Sequence, residues 1–178
     1  YKMTGLTKVG SYVYYLDEEG VMLTGWITID NDKYYFNTNG IMATGWTTIN
    51  SNKYYFYTTG KMAVGVAFIS SQIYGFSDEG LMLTGLQVID GKTYNFSTTG
   101  TAITGWLTLD NKTYYFSPEY GYKLTGFVVI NNTTYYLDEE GVLRTGFVTI
   151  NNKKYYMNDS GIMQTGWLTL EENKYYFN

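Results

Sequence analysis

The chain has 178 residues, 44% apolar and 16% charged, with a net charge of −4, one proline, and neither cysteine nor histidine. That mixture is too apolar for a disordered segment, and its acidic balance excludes a nucleic-acid or anionic-membrane surface, which needs a concentrated basic face. The missing residue types remove disulfides, thiol chemistry, the commonest metal ligand and the commonest general base, so no cofactor, metal or catalytic residue is expected.

Taken in order, the chain is one unit written nine times. Thr-Gly pairs stand at Thr4, Thr24, Thr44, Thr84, Thr104, Thr125, Thr145 and Thr165, and Val64-Gly65 fills the gap. Repeats therefore start near Gly5, Gly25, Gly45, Gly65, Gly85, Gly105, Gly126, Gly146 and Gly166, at a period of 20 residues with one extra residue near Pro118. A second glycine series runs from Gly20 through Gly40 and Gly60 to Gly161. Glycine is placed by position, as where backbone needs positive φ or close approach. The chain opens and closes inside a unit, which reads as residues 1–178 of a single repeat array cut from a longer protein.

In the unit from Gly25 to Thr44, the first predicted element is a strand over Trp26-Ile27-Thr28-Ile29. The polar run Asp30-Asn31-Asp32-Lys33 follows as a turn, and Tyr34-Tyr35-Phe36 as the returning strand. Asn37 to Gly40 form a second turn, and Ile41-Met42-Ala43 lead to the next unit. No window has a helical period. Alternation places Ile27 and Ile29 on one hairpin face and Trp26 and Thr28 on the other, and in the returning strand Tyr34 and Phe36 on a face opposite Tyr35. Both faces are apolar. A lone hairpin is marginal in water, so each unit must bury a face on its neighbours, giving an all-β solenoid of stacked hairpins without helices.

The pattern TGWITIDNDKYYFNTNGIMATGW resembles the cell-wall-binding repeats shared by choline-binding proteins, glucan-binding domains of glucansucrases and the combined repetitive oligopeptide domains of large clostridial toxins. The resemblance implies a left-handed β-solenoid in a secreted, extracellular Gram-positive protein, with carbohydrate or wall polymer bound in grooves between hairpins. In choline-binding repeats a second tryptophan precedes the Tyr-Tyr pair. Here that position holds Val13, Lys33, Lys53, Ile73, Thr93, Thr113, Thr134, Lys154 or Lys174, none aromatic. Choline is accordingly expected neither to bind nor to stabilise the chain. Lys or Thr there, with stretches such as TTINSNKYYF, looks closer to the toxin repeats. That likeness implies a multivalent, non-enzymatic and monomeric domain that binds host cell-surface glycans. An anchoring module for cell-wall polysaccharide, and a structural spacer, are the competing readings.

Candidate sugar platforms are Trp26, Trp46, Trp106 and Trp167, since a pyranose packs its C–H face on an aromatic ring. Other units carry Leu6, Val66, Leu86, Phe127 or Phe147 there, which favours seam filling over binding. The first tyrosine of each pair is invariant within the chain and reads as core, its hydroxyl bonded to a neighbour. The second is expected to be more exposed, and Tyr35, Tyr55, Tyr115, Tyr136 and Tyr156 are secondary candidates. It is replaced by Gly75 and Asn95, where a groove would be degenerate. Methionines such as Met42 and Met82 are read as soft seam filler, and the acidic clusters Asp17-Glu18-Glu19, Asp78-Glu79 and Asp138-Glu139-Glu140 as solvated loops.

Overall fold

Strand-forming runs separated by turns at a fixed period become antiparallel hairpins in the computed structural model, which describes residues 1–178 and contains no helix. The nine hairpins pair Gly5–Val9 with Tyr12–Leu16, Gly25–Ile29 with Asp32–Phe36, Gly45–Ile49 with Asn52–Phe56, Gly65–Ile69 with Gln72–Phe76, and Gly85–Ile89 with Lys92–Phe96. They continue with Gly105–Leu109 and Lys112–Phe116, Gly126–Ile130 and Thr133–Leu137, Gly146–Ile150 and Lys153–Met157, and Gly166–Leu170 and Asn173–Phe177.

The hairpin turn has two residues where the sequence suggested four. Asp30 and Asn31 take φ of 50° and 70°, and Ile29 pairs directly with Asp32. This is the two-residue geometry whose twist matches that of the flanking strands, and it needs positive φ at both central positions. Asn, Asp and Gly tolerate that region best, and Asp90-Gly91 and Asn131-Asn132 meet it in the same way. Asp32 and Lys33 therefore belong to the strand despite their polarity. The register sets Trp26 opposite Tyr35 and Thr28 opposite Lys33 on one face, and Ile27 opposite Tyr34 on the other.

Two compact units are present: Tyr1–Asp90 with Phe96–Ala102, and Gly91–Asn95 with Ile103–Asn178. Each has its core at the residue that ends the second strand of its hairpins. Phe36, Phe56, Phe76 and Phe96 in the first unit are at most 2% exposed, and Phe116, Leu137 and Met157 in the second at most 1%. Around Phe56 cluster Ile49, Tyr54 and Met62, with Tyr35 and Ala43 packed against them. Within each unit the core is thus built from one large apolar side chain per repeat, the two end repeats excepted, where Leu16 and Phe177 are half-buried.

Backbone hydrogen bonds tie each link to the hairpin before the one it leaves. The Met62 N–H donates to the Lys33 carbonyl at 2.9 Å and the Met82 N–H to that of Lys53 at 2.9 Å. In the second unit Leu143 and Met163 do the same to Thr113 and Thr134 at 2.7 and 2.8 Å. Met22, Met42, Met62 and Met82 cover Gly40, Gly60, Gly80 and Gly100 of the second glycine series, as the seam-filling reading expected, while Lys2, Lys123 and Leu143 cover Gly20, Gly141 and Gly161. At Gly100, with φ of 88°, a Cβ would stand 2.5 Å from Met82 Sδ. That position requires glycine twice over, for conformation and for space.

Gly75 differs. Its φ is not positive, it is buried, and a Cβ there would lie 2.5 Å from Phe96 Cζ and 3.1 Å from Ile89 Cδ1. The space of the missing tyrosine is filled by the Phe96 ring. Gly75→Ala is therefore expected to overpack this seam and cost about 1–3 kcal/mol, read as a drop in the midpoint of denaturant unfolding. An unchanged midpoint would show that Phe96 moves freely. Asn95, at the equivalent position, is also buried, so neither site is the exposed one the sequence suggested.

Candidate functional site

Register places the tryptophans on the outward hairpin face, and stacking supplies their second wall. Trp26 meets Tyr35 of its own hairpin edge-on, with ring centroids 5.2 Å apart, and Tyr54 of the next hairpin at 5.0 Å. Trp46 repeats this with Tyr55 at 5.2 Å and Tyr74 at 4.8 Å. In the second unit Trp106 lies between Tyr115 and Tyr135, both at 4.9 Å. Phe127 pairs with Tyr155 at 5.0 Å and Phe147 with Tyr175 at 5.3 Å. Each groove thus takes a ring from one hairpin and the first tyrosine of the next. Offset and edge-on rings at these separations are favourable beyond their area.

Trp26, Trp46 and Trp106 are 40–43% exposed, so each keeps a ring surface open to solvent while its edge is held. Trp167, in the last hairpin, meets Tyr176 at 5.1 Å and carries the Lys174 ammonium 5.0 Å over its ring, and it is 68% exposed. The second tyrosines are less available than expected: Tyr35, Tyr55, Tyr136 and Tyr156 are half-buried and Tyr115 is buried. They buttress the tryptophan or phenylalanine of their own hairpin and, as with Tyr35 and Phe56 at 6.5 Å, the core of the next. The first tyrosines, read from sequence as core alone, prove to be both core and groove wall. Tyr54 is buried yet faces Trp26. Period-two alternation inside one hairpin carries no information on which face meets the neighbour, so this role was not legible. At Tyr74 the hydroxyl is bonded to a neighbour of its own hairpin, donating to Gln72 Oε1 at 3.0 Å.

The groove of Trp26 adds polar groups of both charges to its rings. A cavity of about 230 Å³ is lined by Trp26, Thr28, Lys33, Tyr54 and Glu79. Lys33 reaches it because the short turn puts it in the strand, on the same face as Trp26. Glu79 is fixed by Ser77, whose hydroxyl donates to Glu79 Oε2 at 2.9 Å and accepts from the Glu79 N–H at 3.2 Å. That hydroxyl bond first, then the backbone N–H and the charge of Lys33, hold the carboxyl below the usual range. It is ionised at neutral pH.

The acidic loops are turn organisers as well as solvated surface. Asp138 Oδ1 accepts from the N–H groups of Glu140 and Val142 at 3.0 and 2.8 Å, and its other oxygen lies 3.6 Å from Arg144 Nη1. Glu140 lies 3.3 Å from Lys112 Nζ, which raises the Lys112 pKa through that hydrogen bond. Asp32 pairs with Lys61. No cluster of three or more acidic or metal-ligating side chains forms a metal site.

Family models cover most of the chain. One described as a choline-binding repeat matches residues 3–40, 23–47, 43–84, 83–124 and 144–178, and one described as a putative cell wall binding repeat matches residues 125–143. Among solved structures, CbpJ from Streptococcus pneumoniae TIGR4 is 30% identical at a TM-score of 0.72, over 97% of this chain and 71% of that one. Choline binding protein F from Streptococcus pneumoniae, solved with a tetrasaccharide-pentapeptide peptidoglycan analogue, is 32% identical at 0.69, over 93% of this chain and 59% of its own. The modular autolysin LytC from the same organism is 25% identical at 0.56, over 93% of this chain and 40% of that one. No curated protein matches the chain in sequence.

Proposed function

The chain belongs to the choline-binding repeat family, and from that premise we propose that it is a multivalent, non-enzymatic module holding a secreted bacterial protein on a cell-wall polymer. The observation that carries this reading is the recurrence of one aromatic groove, at Trp26–Tyr54 and Trp46–Tyr74 in the first unit and Trp106–Tyr135 in the second. Individually weak grooves on one scaffold gain on the order of 10² to 10⁴ in avidity when a polymer engages several. Choline binding protein F was solved with a wall fragment, which supports the same ligand class here. Asp138, Glu139 and Glu140 line one open pocket, but they are consecutive residues of a single loop and Asp138 is held by Arg144 and two backbone N–H groups, whereas glycoside hydrolysis needs two carboxyls on either side of one bond.

The saccharide of the polymer is the ligand this chain suits. A quaternary ammonium needs aromatic faces around it, and the strand position beside Trp26 holds the Lys33 ammonium, which repels a cation. The same lysine and threonine pattern supports a second reading, the receptor-binding repeats of a clostridial toxin acting on host glycans.

Retention on purified Gram-positive walls, on a mammalian glycan array and on choline resin tests these readings together. Wall binding is expected, with no turnover of wall polymer and no rise in melting temperature at millimolar choline. Retention on host glycans without walls would move the function to the toxin reading. Elution from resin by choline would overturn the ligand assignment.

A further inference from the structure

The grooves are not equivalent, and the one at Trp26 differs in the polar groups on its rim. It brings together two rings, a donor-only ammonium at Lys33, an acceptor-only carboxylate at Glu79 and the hydroxyl of Thr28. Neither lysine at this position in the first unit, Lys33 or Lys53, has an ion-pair partner in the protein. Glu79 stands one residue before Gly80, and by the repeat register Thr99 occupies that place for the Trp46 groove and Ser160 for the Trp106 groove. Trp106 also has Thr113 where Trp26 has Lys33, and Thr113 there bonds Thr108 at 3.1 Å. Of the three tryptophan grooves closed by a following tyrosine, that of Trp26 alone combines a lysine with a carboxylate.

We propose that the Trp26 groove is the selective subsite of the array and that it takes a neutral pyranose through two adjacent hydroxyls. The assignment rests on the wall-polysaccharide reading above and narrows it to one groove and one ligand class. A hydroxyl both donates and accepts, so one of a vicinal pair accepts from Lys33 while the other donates to Glu79. The apolar face of the ring then lies on Trp26. A net charge on the ligand gains nothing here, because Lys33 and Glu79 oppose one another on the rim, and a quaternary ammonium bonds neither of them. The cavity of about 230 Å³ is below the roughly 300–1,000 Å³ of sites that enclose drug-sized ligands, which suits one ring of a chain passing over the surface. Ser77 fixes the carboxylate in advance, so little ordering is left for the ligand to bring about.

Indole N–H resonances of the four tryptophans, assigned by single Trp→Phe variants, report each groove separately. Methyl glycosides of glucose, galactose and N-acetylglucosamine, together with glucuronic acid and choline, serve as probes. At least one neutral glycoside is expected to shift Trp26 at millimolar concentration, with the Trp106 response at least tenfold weaker. Glu79→Gln and Lys33→Met should each weaken the Trp26 response about tenfold without unfolding, since both residues are exposed. Thr99→Glu, placed beside Ser97 as Glu79 is beside Ser77, should bring Trp46 into the response. Equal shifts at Trp26 and Trp106, unchanged binding in Glu79→Gln, or a stronger response to choline or glucuronic acid would overturn the assignment. Intact wall binding alongside any of those results leaves the wall-binding reading standing, whereas absent wall binding removes that reading itself.

Discussion

Phe56→Ala is expected to destabilise the first unit by about 3–5 kcal/mol, the cost of removing a fully buried aromatic side chain whose site cannot collapse. The ring is 0% exposed, and it lies 5.8 Å from Trp26, 6.5 Å from Tyr35 and 6.4 Å from Tyr54. Three groups from two hairpins lose a partner together, so the groove of Trp26 loosens with the core. Because repeats contact chiefly their neighbours, the damage should remain local. Hydrogen exchange should rise over the hairpins around Phe56 and stay near the parent level in the second unit. Uniform acceleration along the chain would mean that the array unfolds as one cooperative block.

Trp46→Leu should separate binding from stability. Leu6 and Leu86 show that the position accepts leucine, and the ring contacts at 5.2 and 4.8 Å are worth about 0.5–1.5 kcal/mol each beyond area. The melting temperature is therefore expected to fall by no more than about 2–12 °C. Wall binding should weaken only a few-fold, and at least tenfold further with Trp26→Leu added, because Trp46 lines a weaker attachment of a multivalent contact and Trp26 the selective one. Sedimentation with purified walls measures this directly. A variant that folds and binds as the parent would reduce the tryptophans to seam filler and turn attention to Tyr35, Tyr55, Tyr115, Tyr136 and Tyr156.

Much of the fold was legible because its determinants are local. Trp26-Ile27-Thr28-Ile29 and Tyr34-Tyr35-Phe36 alternate with a period of two, and the structure pairs them face for face as that alternation requires. The exact turn was missed because Asp32 and Lys33 are as polar as Asp30 and Asn31; only φ distinguishes them. The site was less legible. Trp26 was found because it presents a large ring on an outward face, but Tyr54 lies 28 positions further along and reaches it only through stacking. Glu79 lies further still, and its loop repeats with Thr or Asn in other units. A repeat comparison reveals what every unit shares, whereas a selective site depends on what one unit has alone.

The sulfur of a seam methionine also gives the array a chemical lifetime. Conversion to the sulfoxide adds a polar oxygen to an apolar thioether, and at Met42, Met62 and Met82 that sulfur lies where a Cβ on Gly60, Gly80 or Gly100 would stand. The oxygen has no room on the glycine side and must push the link outward, straining the bonds from the Met62 and Met82 N–H groups to the Lys33 and Lys53 carbonyls. In the second unit Lys123 and Leu143 cover Gly141 and Gly161 and do not oxidise in this way; its two methionines are Met157, fully buried in the core, and Met163, which covers no glycine of the series. Mild peroxide should therefore age the first unit before the second, lowering its protection against proteolysis, and Met82→Leu should delay the loss. Oxidation would thus open the seams that shape the first two tryptophan grooves and, if these grooves carry the proposed wall attachment, shorten it.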